Sequence, residues 1–496
     1  MSEQWPGGLI TKTPVTPSGP FEVSTASGVW TLEEAYQWTG DGLWPTAGNI
    51  LAYYSTFANE SGEAYQGRGI SVDSSSNIYL SGYSSDPTTD SVWIAKWPAN
   101  GTSPTWQREA TDTSLSVTTV KAGSVIDSTG DIIIGCTGYD ASDDHSIILK
   151  WDTNGTFQWG RNFGTEGREA ECAGIGIDSN DNIYLWTDST SSGFAEIVKW
   201  NSAGAIQFQK SATTAGSSVG NTLSSAEGDM VITPNDYIIP VGKANSASGS
   251  GVIVGSVANI SAAGVLDWHR EIAGYLNGIH AVAADSSNNI YLGARAGSSP
   301  ANVPYIMKLN SSGVKQWARK IEGSASGTIW SASSPRRMAV DSSDNVYMVS
   351  NGDINNSGSG GANNEAVMVF KYNSSGVLQW SRYIQNNLAN MGTKSRITID
   401  GSDMIIASAV RLVSSPSMTS MFYIKIPTDG SKTGSYTNPT YTGFTLTYGV
   451  LDVAESADTA SSESSEDYTL ATTTITEAAT GMTSSTSSLS YDNDPL

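Results

Sequence analysis

The sequence predicts an all-β fold, a seven-bladed β-propeller flanked by an extended N-terminal arm and a Ser/Thr-rich, β-prone C-terminal arm. Three observations predict it. One motif recurs seven times between residues 70 and 430, at a period of 51 to 59 residues. Each copy holds short β-branched or aromatic runs bounded by Ser, Asn, Asp and Gly, the pattern of strands and tight turns. Repeats of roughly 40–50 residues with four strands each are the signature of propeller blades, and longer loops account for the longer period here.

The first half of each copy is a strand bearing a lead Asp, a polar turn and a second strand. The copies read ISVDSSSNIYL, SVIDSTGDIII, IGIDSNDNIYL, MVITPNDYIIP, AVAADSSNNIYL, MAVDSSDNVYM and ITIDGSDMIIA. Their lead positions are Asp73, Asp127, Asp178, Thr233, Asp285, Asp341 and Asp400. These supply strands A and B, joined by turns that Asp and Asn cap through nearby backbone N–H groups. Strand C ends in Lys96-Trp97, Lys150-Trp151, Lys199-Trp200, Lys308-Leu309, Lys371-Tyr372 and Lys425-Ile426. A Gly turn follows in most copies, then a strand D carrying Trp106, Trp159, Phe208, Trp268, Trp317 and Trp380. The recurring Lys is expected to cover apolar surface with its stem and send its head to water or a carbonyl. The strand D aromatics are expected to pack between blades.

The seventh copy lacks a clear strand D. The segment 49–57, Asn-Ile-Leu-Ala-Tyr-Tyr-Ser-Thr-Phe, precedes the first copy and resembles a strand D without its repeat. It is expected to pair with blade seven and close the ring, because an unlatched ring exposes two sheet edges. The region around Tyr436 competes for that role. The domain boundaries are then an arm over 1–48, the propeller over 49–430 and an acidic arm over 431–496.

Each arm has its own signals. Thr31-Leu32-Glu33-Glu34 reads as a capping box that opens a short helix through Gln37. Trp5, Trp30, Trp38 and Trp44 are many bulky aromatics for a segment too short to bury them alone, so the arm is expected to pack on the propeller or a partner subunit. Beyond Lys432 come nine carboxylates and no Lys or Arg. Composition reads as disorder, yet residues 444–448 and 468–475 alternate as strands do. The expectation is a strand-forming arm that orders on assembly.

Composition excludes several functions. A net charge of −22 and a pI near 4.4 oppose binding to nucleic acid, which requires clustered Lys and Arg, and to anionic membrane surfaces. No apolar run is long enough to span a bilayer. MSEQWPGGLI has neither a basic n-region nor an apolar h-region, so no signal peptide is expected. Cys136 and Cys172 stand in different copies and are expected to be free and packed. A chain made in a reducing cytoplasm yet rich in Ser, Thr, Gly and Trp fits a virus particle assembled inside a cell.

Variation concentrates in the B–C loops, such as SGYSSDPTTDS, TGYDASDDHS and SNGDINNSGSGGANNEA. Loops of that kind are where ligands bind, and Tyr83, Tyr139, Asp143, Asp144, His145, Arg295 and Trp330 are the candidate ligand-binding residues there. The turns Asp73-Ser75-Asn77 and Asp178-Asn180-Asn182 look like calcium loops but lack the Gly and distal Glu such a loop needs. No metal and no cofactor are expected. His145, His269 and His280 fall in unrelated copy positions, and no H-E-x-x-H, G-x-S-x-G or P-loop occurs. No catalytic residues are assigned, and the chain is expected not to be an enzyme.

Two resemblances rest on these residues. The unit D-x-x-x-N-I-Y-L…K-W…G-x-x-x-W resembles the bacterial seven-bladed propeller repeat abbreviated SBBP, with Thr233 departing from it. The segment QWPGGLITKTPVTPSGPFEVSTASGVWTLEEAYQW and the ending SLSYDNDPL are similar to the termini of marine phage and cyanophage structural proteins. That resemblance implies a virion component, tail- or fibre-associated, held to other virion subunits by its two arms in a multi-copy assembly. The arms are expected to dock by strand addition and aromatic burial, leaving the propeller to contact host surface glycans. A capsid decoration or vertex protein, a carbohydrate-binding lectin-like propeller, and a hydrolase or lyase on the same scaffold are the alternative readings.

Overall fold

Between 64 and 437 the computed structural model describes the strands and most residues of the turns joining A to B and C to D. Outside that range it describes 3–5, 8–10, 51–53, 445–450, 453–457, 462–464, 468–472, 477–479 and 483–486. The chain divides into two compact units, Met1–Leu51 and Ala52–Leu496. In the first, Glu3–Trp5 pairs antiparallel with Gly8–Ile10. The helix expected near 31–37 lies outside the described residues.

The second unit is a ring of seven antiparallel sheets, and no helix occurs among its described residues. Blade one is typical, with strands A to D at Ala64–Val72, Ile78–Ser85, Ser91–Trp97 and Trp106–Thr111. The A strands form a closed circuit of neighbours: Ala64–Val72, Ser116–Ile126, Glu171–Ile177, Ser224–Ile232, Leu276–Ala284, Arg337–Val340, Arg396–Asp400 and back to the first. Blade seven is completed by Leu51–Tyr53 beside its strand C, Thr419–Pro427. The strand around Tyr436 goes elsewhere, Gly434–Thr437 pairing with Thr445–Val450 at blade six.

Strands B and C are apolar runs because a neighbouring blade covers each of their faces. Ser91–Trp97 is buried at every position. Between blades one and two, Ile94, Trp106, Ile134 and Ile147 share one core. Fully burying each such side chain contributes about 1.5–3 kcal/mol. Cys136 and Cys172 are free and buried.

Two polar belts join the blades on one face. In the A–B turns, Asp73 Oδ1 accepts the N–H groups of Ser75 and Asn77, each at 2.9 Å, while Oδ2 accepts from Asn77 Nδ2 at 2.8 Å. The strand C lysine joins the same carboxylate: Lys150 Nζ lies 2.7 Å from Asp127 and Lys308 Nζ 3.0 Å from Asp285. Other heads reach the next blade's C–D turn, Lys199 donating to Ala262 O at 3.0 Å and Lys371 to Thr428 O at 3.1 Å. The fourth turn residue has positive φ, for example 60° at both Asp181 and Asp344. Asp tolerates that backbone, and its side chain ties back to the preceding blade. Asp181 accepts from Ser128 N at 2.8 Å, and Asp236 from Ser179 N at 2.8 Å.

The second belt is the aromatic of strand D. Trp106 Nε1 donates to Thr153 O at 3.0 Å and Trp317 Nε1 to Ser374 O at 3.1 Å, each in the next blade's C–D turn. The ring lies over that turn's glycine, and a Cβ on Gly376 would stand 2.6 Å from Trp317. Two residues on, Arg108 donates to Gly155 O at 2.7 Å and Arg382 to Gly430 O at 2.8 Å. The calcium-like appearance of the A–B turns is thus explained by their hydrogen bonds, and no metal-holding group of His, Cys, Asp and Glu is found among the described residues.

The C-terminal segment runs back around the ring. Thr445–Val450 pairs antiparallel with strand D of blade six, Leu378–Asn386, and Val453–Ala457 with that of blade five, Lys315–Gly323. Ser462–Ser464, Tyr468–Thr472, Glu477–Ala479 and Thr483–Thr486 follow on blades four, three, two and one, beside Leu266–Ala273, Ile206–Thr214, Phe157–Phe163 and Trp106–Thr111. The sequence leads one to expect strands ordered by neighbouring subunits; here the partners of these strands are the chain's own blades.

Candidate functional site

Each of the first five A strands carries a register irregularity shortly before the position four residues ahead of its lead residue, as between Cys172 and Gly174, Ser224 and Asp229, or Ile279 and Ala281. In blades six and seven the irregularity becomes a full break, with Arg337–Val340 and Arg396–Asp400 preceded by the separate strands Ser331–Ala332 and Ala389–Met391. Bulges of this kind re-aim side chains and are common beside active sites. Around the ring that position is Gly69, Gly123, Gly174, Asp229, Ala281, Arg337 and Arg396. Four blades have Gly or Ala there, and three carry charge. The layer lies about 13 Å from the A–B turns at 3.3 Å per residue, toward the face of the B–C and D–A loops.

The charged members converge. Arg337 Nη1, on blade six, donates to Asp229 Oδ1, on blade four. Val282 N, on the intervening blade, donates to Asp229 Oδ2 at 3.3 Å. Burial pushes the Asp229 carboxyl above its ordinary value, against the opposing pull of Arg337 and then Arg396. The Asp229 side chain is 3% exposed and that of Arg337 20%, so the carboxylate is sealed while its partner still meets solvent. Two guanidiniums thus act on this one buried carboxyl. Guanidinium is the group best shaped to hold a carboxylate or sulfate through paired hydrogen bonds.

The expected loop-face residues are only partly gathered. Tyr139, 43% exposed, stands opposite Asp144 at the B–C end of blade two, and His145 follows opposite Gly138. Tyr83, from blade one, packs against the core shared with blade two. Arg295 sits at the same end of blade five, opposite Pro304 and three blades away. Asp143 and Trp330 lie outside the described residues. Sequence reasoning missed Asp229, Arg337 and Arg396. Their signal was the departure from Gly or Ala at one fixed place in the repeat.

No protein-family model matches the chain, and no curated protein matches it. Solved structures do resemble it. The polysaccharide lyase Uly1 is 9% identical, with a TM-score of 0.45 over 77% of this chain and 98% of that one. An ulvan lyase from a polysaccharide lyase family is 10% identical, with a TM-score of 0.40 over 75% and 97%. The phage phi92 endosialidase is 9% identical, with a TM-score of 0.31 over 70% and 74%. At these values the likeness is one of fold alone. It nevertheless corrects the expectation that the chain is not an enzyme. The structures just named are described as lyases and an endosialidase, and a missing sequence motif is no ground for excluding catalysis.

Proposed function

We propose that this chain is a structural component of a virus particle, displayed on a tail or fibre appendage, whose propeller engages glycans of the host surface. The observation that carries this reading is the one-sidedness of the ring. The short-turn face is consumed by the Asp, Lys, Trp and Arg belts that hold blade to blade. The opposite face carries the long variable loops, the exposed Tyr139 beside Asp144, and the Arg337–Asp229 layer beneath. The phage-like termini point to the particle. Glycans suit a face that offers an aromatic plane with polar neighbours, and an acidic glycan suits guanidinium. The SBBP-like repeat fits an exposed module of this kind.

The test is a glycan array with the purified full-length chain, run beside Tyr139→Ala and Arg337→Ala, together with a particle map in which the chain is labelled. Binding weakened by either substitution and density at the tail support the reading. No binding on any array, or a chain absent from particles, overturns it, and density on the capsid makes the protein a decoration or vertex subunit.

A second reading, cleavage of the bound glycan, is favoured by Asp229. It lies in the bulged layer under the loop face, its carboxyl raised by burial, and its partner Arg337 still meets solvent, so a glycan that draws Arg337 away would uncover it. Turnover of an acidic polysaccharide that is lost in Asp229→Asn, with binding retained, supports it, and equal turnover in the variant rejects it.

A further inference from the structure

The six pairings of the C-terminal segment share a register. In each strand D, the residue three places after the aromatic is Glu109, Asn162, Ser211, Glu271, Lys320 or Tyr383. Their respective partners are Ser485, Ala478, Ala471, Ser464, Ser456 and Gly449. Successive partners are therefore 7, 7, 7, 8 and 7 residues apart, and all six are Gly, Ala or Ser. At blade six the reason for a small residue is visible, since a Cβ on Gly449 would stand 2.4 Å from the Tyr383 ring. Seven extended residues cover about 23 Å.

We infer that residues 445–486 are a measured belt, a strand segment whose seven-residue pitch matches the step from one blade's rim to the next. The rim recognises it through register. Each strand is short, three to six residues, and a lone strand pair is marginal in water. Joined in series by links of two to four residues, each docked strand raises the effective concentration of the next. Charge favours the same occupant. Strand D carries Arg108, Arg161, Lys210, Arg270, Arg319 and Arg382 two places after the aromatic, and the segment beyond Lys432 holds nine carboxylates with no Lys or Arg. The belt completes six rims whose edges would otherwise invite pairing with other chains.

Pitch makes a prediction that local pairing does not, and hydrogen exchange on full-length variants tests it. Deleting residues 459–461 shortens one step to five residues. Deleting 458–464 removes a whole unit and leaves an eight-residue step from Ser456 to Ala471. The three-residue deletion is expected to speed exchange in 462–486 by about tenfold or more while 445–457 stays protected. The seven-residue deletion is expected to restore protection, with each later strand one blade behind and faster exchange moved to Trp106–Thr111. Strands B and C report that the ring is folded in every variant. Equal behaviour of the two deletions overturns the belt, as does unprotected exchange of 445–486 in the natural chain. A dimeric mass in sedimentation also overturns it, assigning these strands to a second copy.

Discussion

Ser76 on blade one donates its hydroxyl to Asp400 on blade seven at 2.8 Å, joining residues 324 positions apart and closing the ring on its short-turn face. At four other junctions the equivalent turn residue accepts: Asp181, Asp236, Asn288 and Asp344 take the N–H groups of Ser128, Ser179, Asn235 and Ser286. The seam is therefore built differently from the joints it completes. Ser76→Ala removes one partly exposed hydrogen bond, expected to contribute about 1 kcal/mol. Calorimetry should show a fall in Tm of no more than about 2 °C, with faster hydrogen exchange confined to blades one and seven. Faster exchange spread evenly over all blades contradicts a seam.

Acid should loosen the belts. Burial raises the carboxyls of Asp73, Asp127, Asp178, Asp285 and Asp341, but hydrogen bonds outweigh it and leave all five below the usual range. The strongest of these come from Asn77, Lys150, Asn182, Asn289 and Asn345. A carboxyl lowered in the folded state stabilises it above the unfolded value, about 3.9, and that stability is lost as pH falls through the folded value. Tm should hold against these groups down to about pH 5 and drop below about pH 4. Asp341→Asn should flatten the acid limb by roughly a fifth, one group of five. An unchanged limb in the variant rules out this origin.

Gly376 has φ of 76° and stands against the Trp317 ring. Gly376→Ala adds left-handed strain and an overlap with an aromatic that is itself hydrogen-bonded through Nε1. The expected loss is about 2 kcal/mol, read from urea midpoints at constant m. Gly401 also has positive φ, at 58°, but no atom within 4 Å of the added Cβ, so Gly401→Ala should lose less.

The Asp229–Arg337 pair should behave as a buried ion pair. Arg337→Ala leaves a carboxylate sealed without its partner and is expected to cost about 3 kcal/mol. The double substitution Asp229→Leu with Arg337→Met should recover most of it. A double-mutant cycle with no coupling would mean that the guanidinium packs there without pairing.

The ring was readable because its grammar is local. Asp73, Asn77 and Tyr79 bond within six residues of one another, so one turn repeats as one string of letters. Trp317 and Gly376 each occupy a fixed place in that string. The ion pair was hidden because its partners are 108 residues apart on blades that are not adjacent. It stands where the repeat is otherwise small, and charge there followed no helical or strand periodicity. The candidate residues were read as sharing the loop face, and the distance between Tyr139 and Arg295, three blades apart on it, is set by the ring and not by the spacing of letters. The belt was visible only as two alternating runs. Its seven-residue spacing acquires meaning from the rim it follows, and no feature of the segment itself reveals that distance.

Because the belt visits the blades in the opposite order to their synthesis, blade one leaves the ribosome first and is finished last, waiting for residues 483–486 to arrive. A polypeptide cut short after Gly430 has all the strands of its inner ring but six bare rims. Shorter truncations of the tail strip blade one before any other. Loss of tail strands is thus registered at the outer edge of blade one, where a protease meets it first.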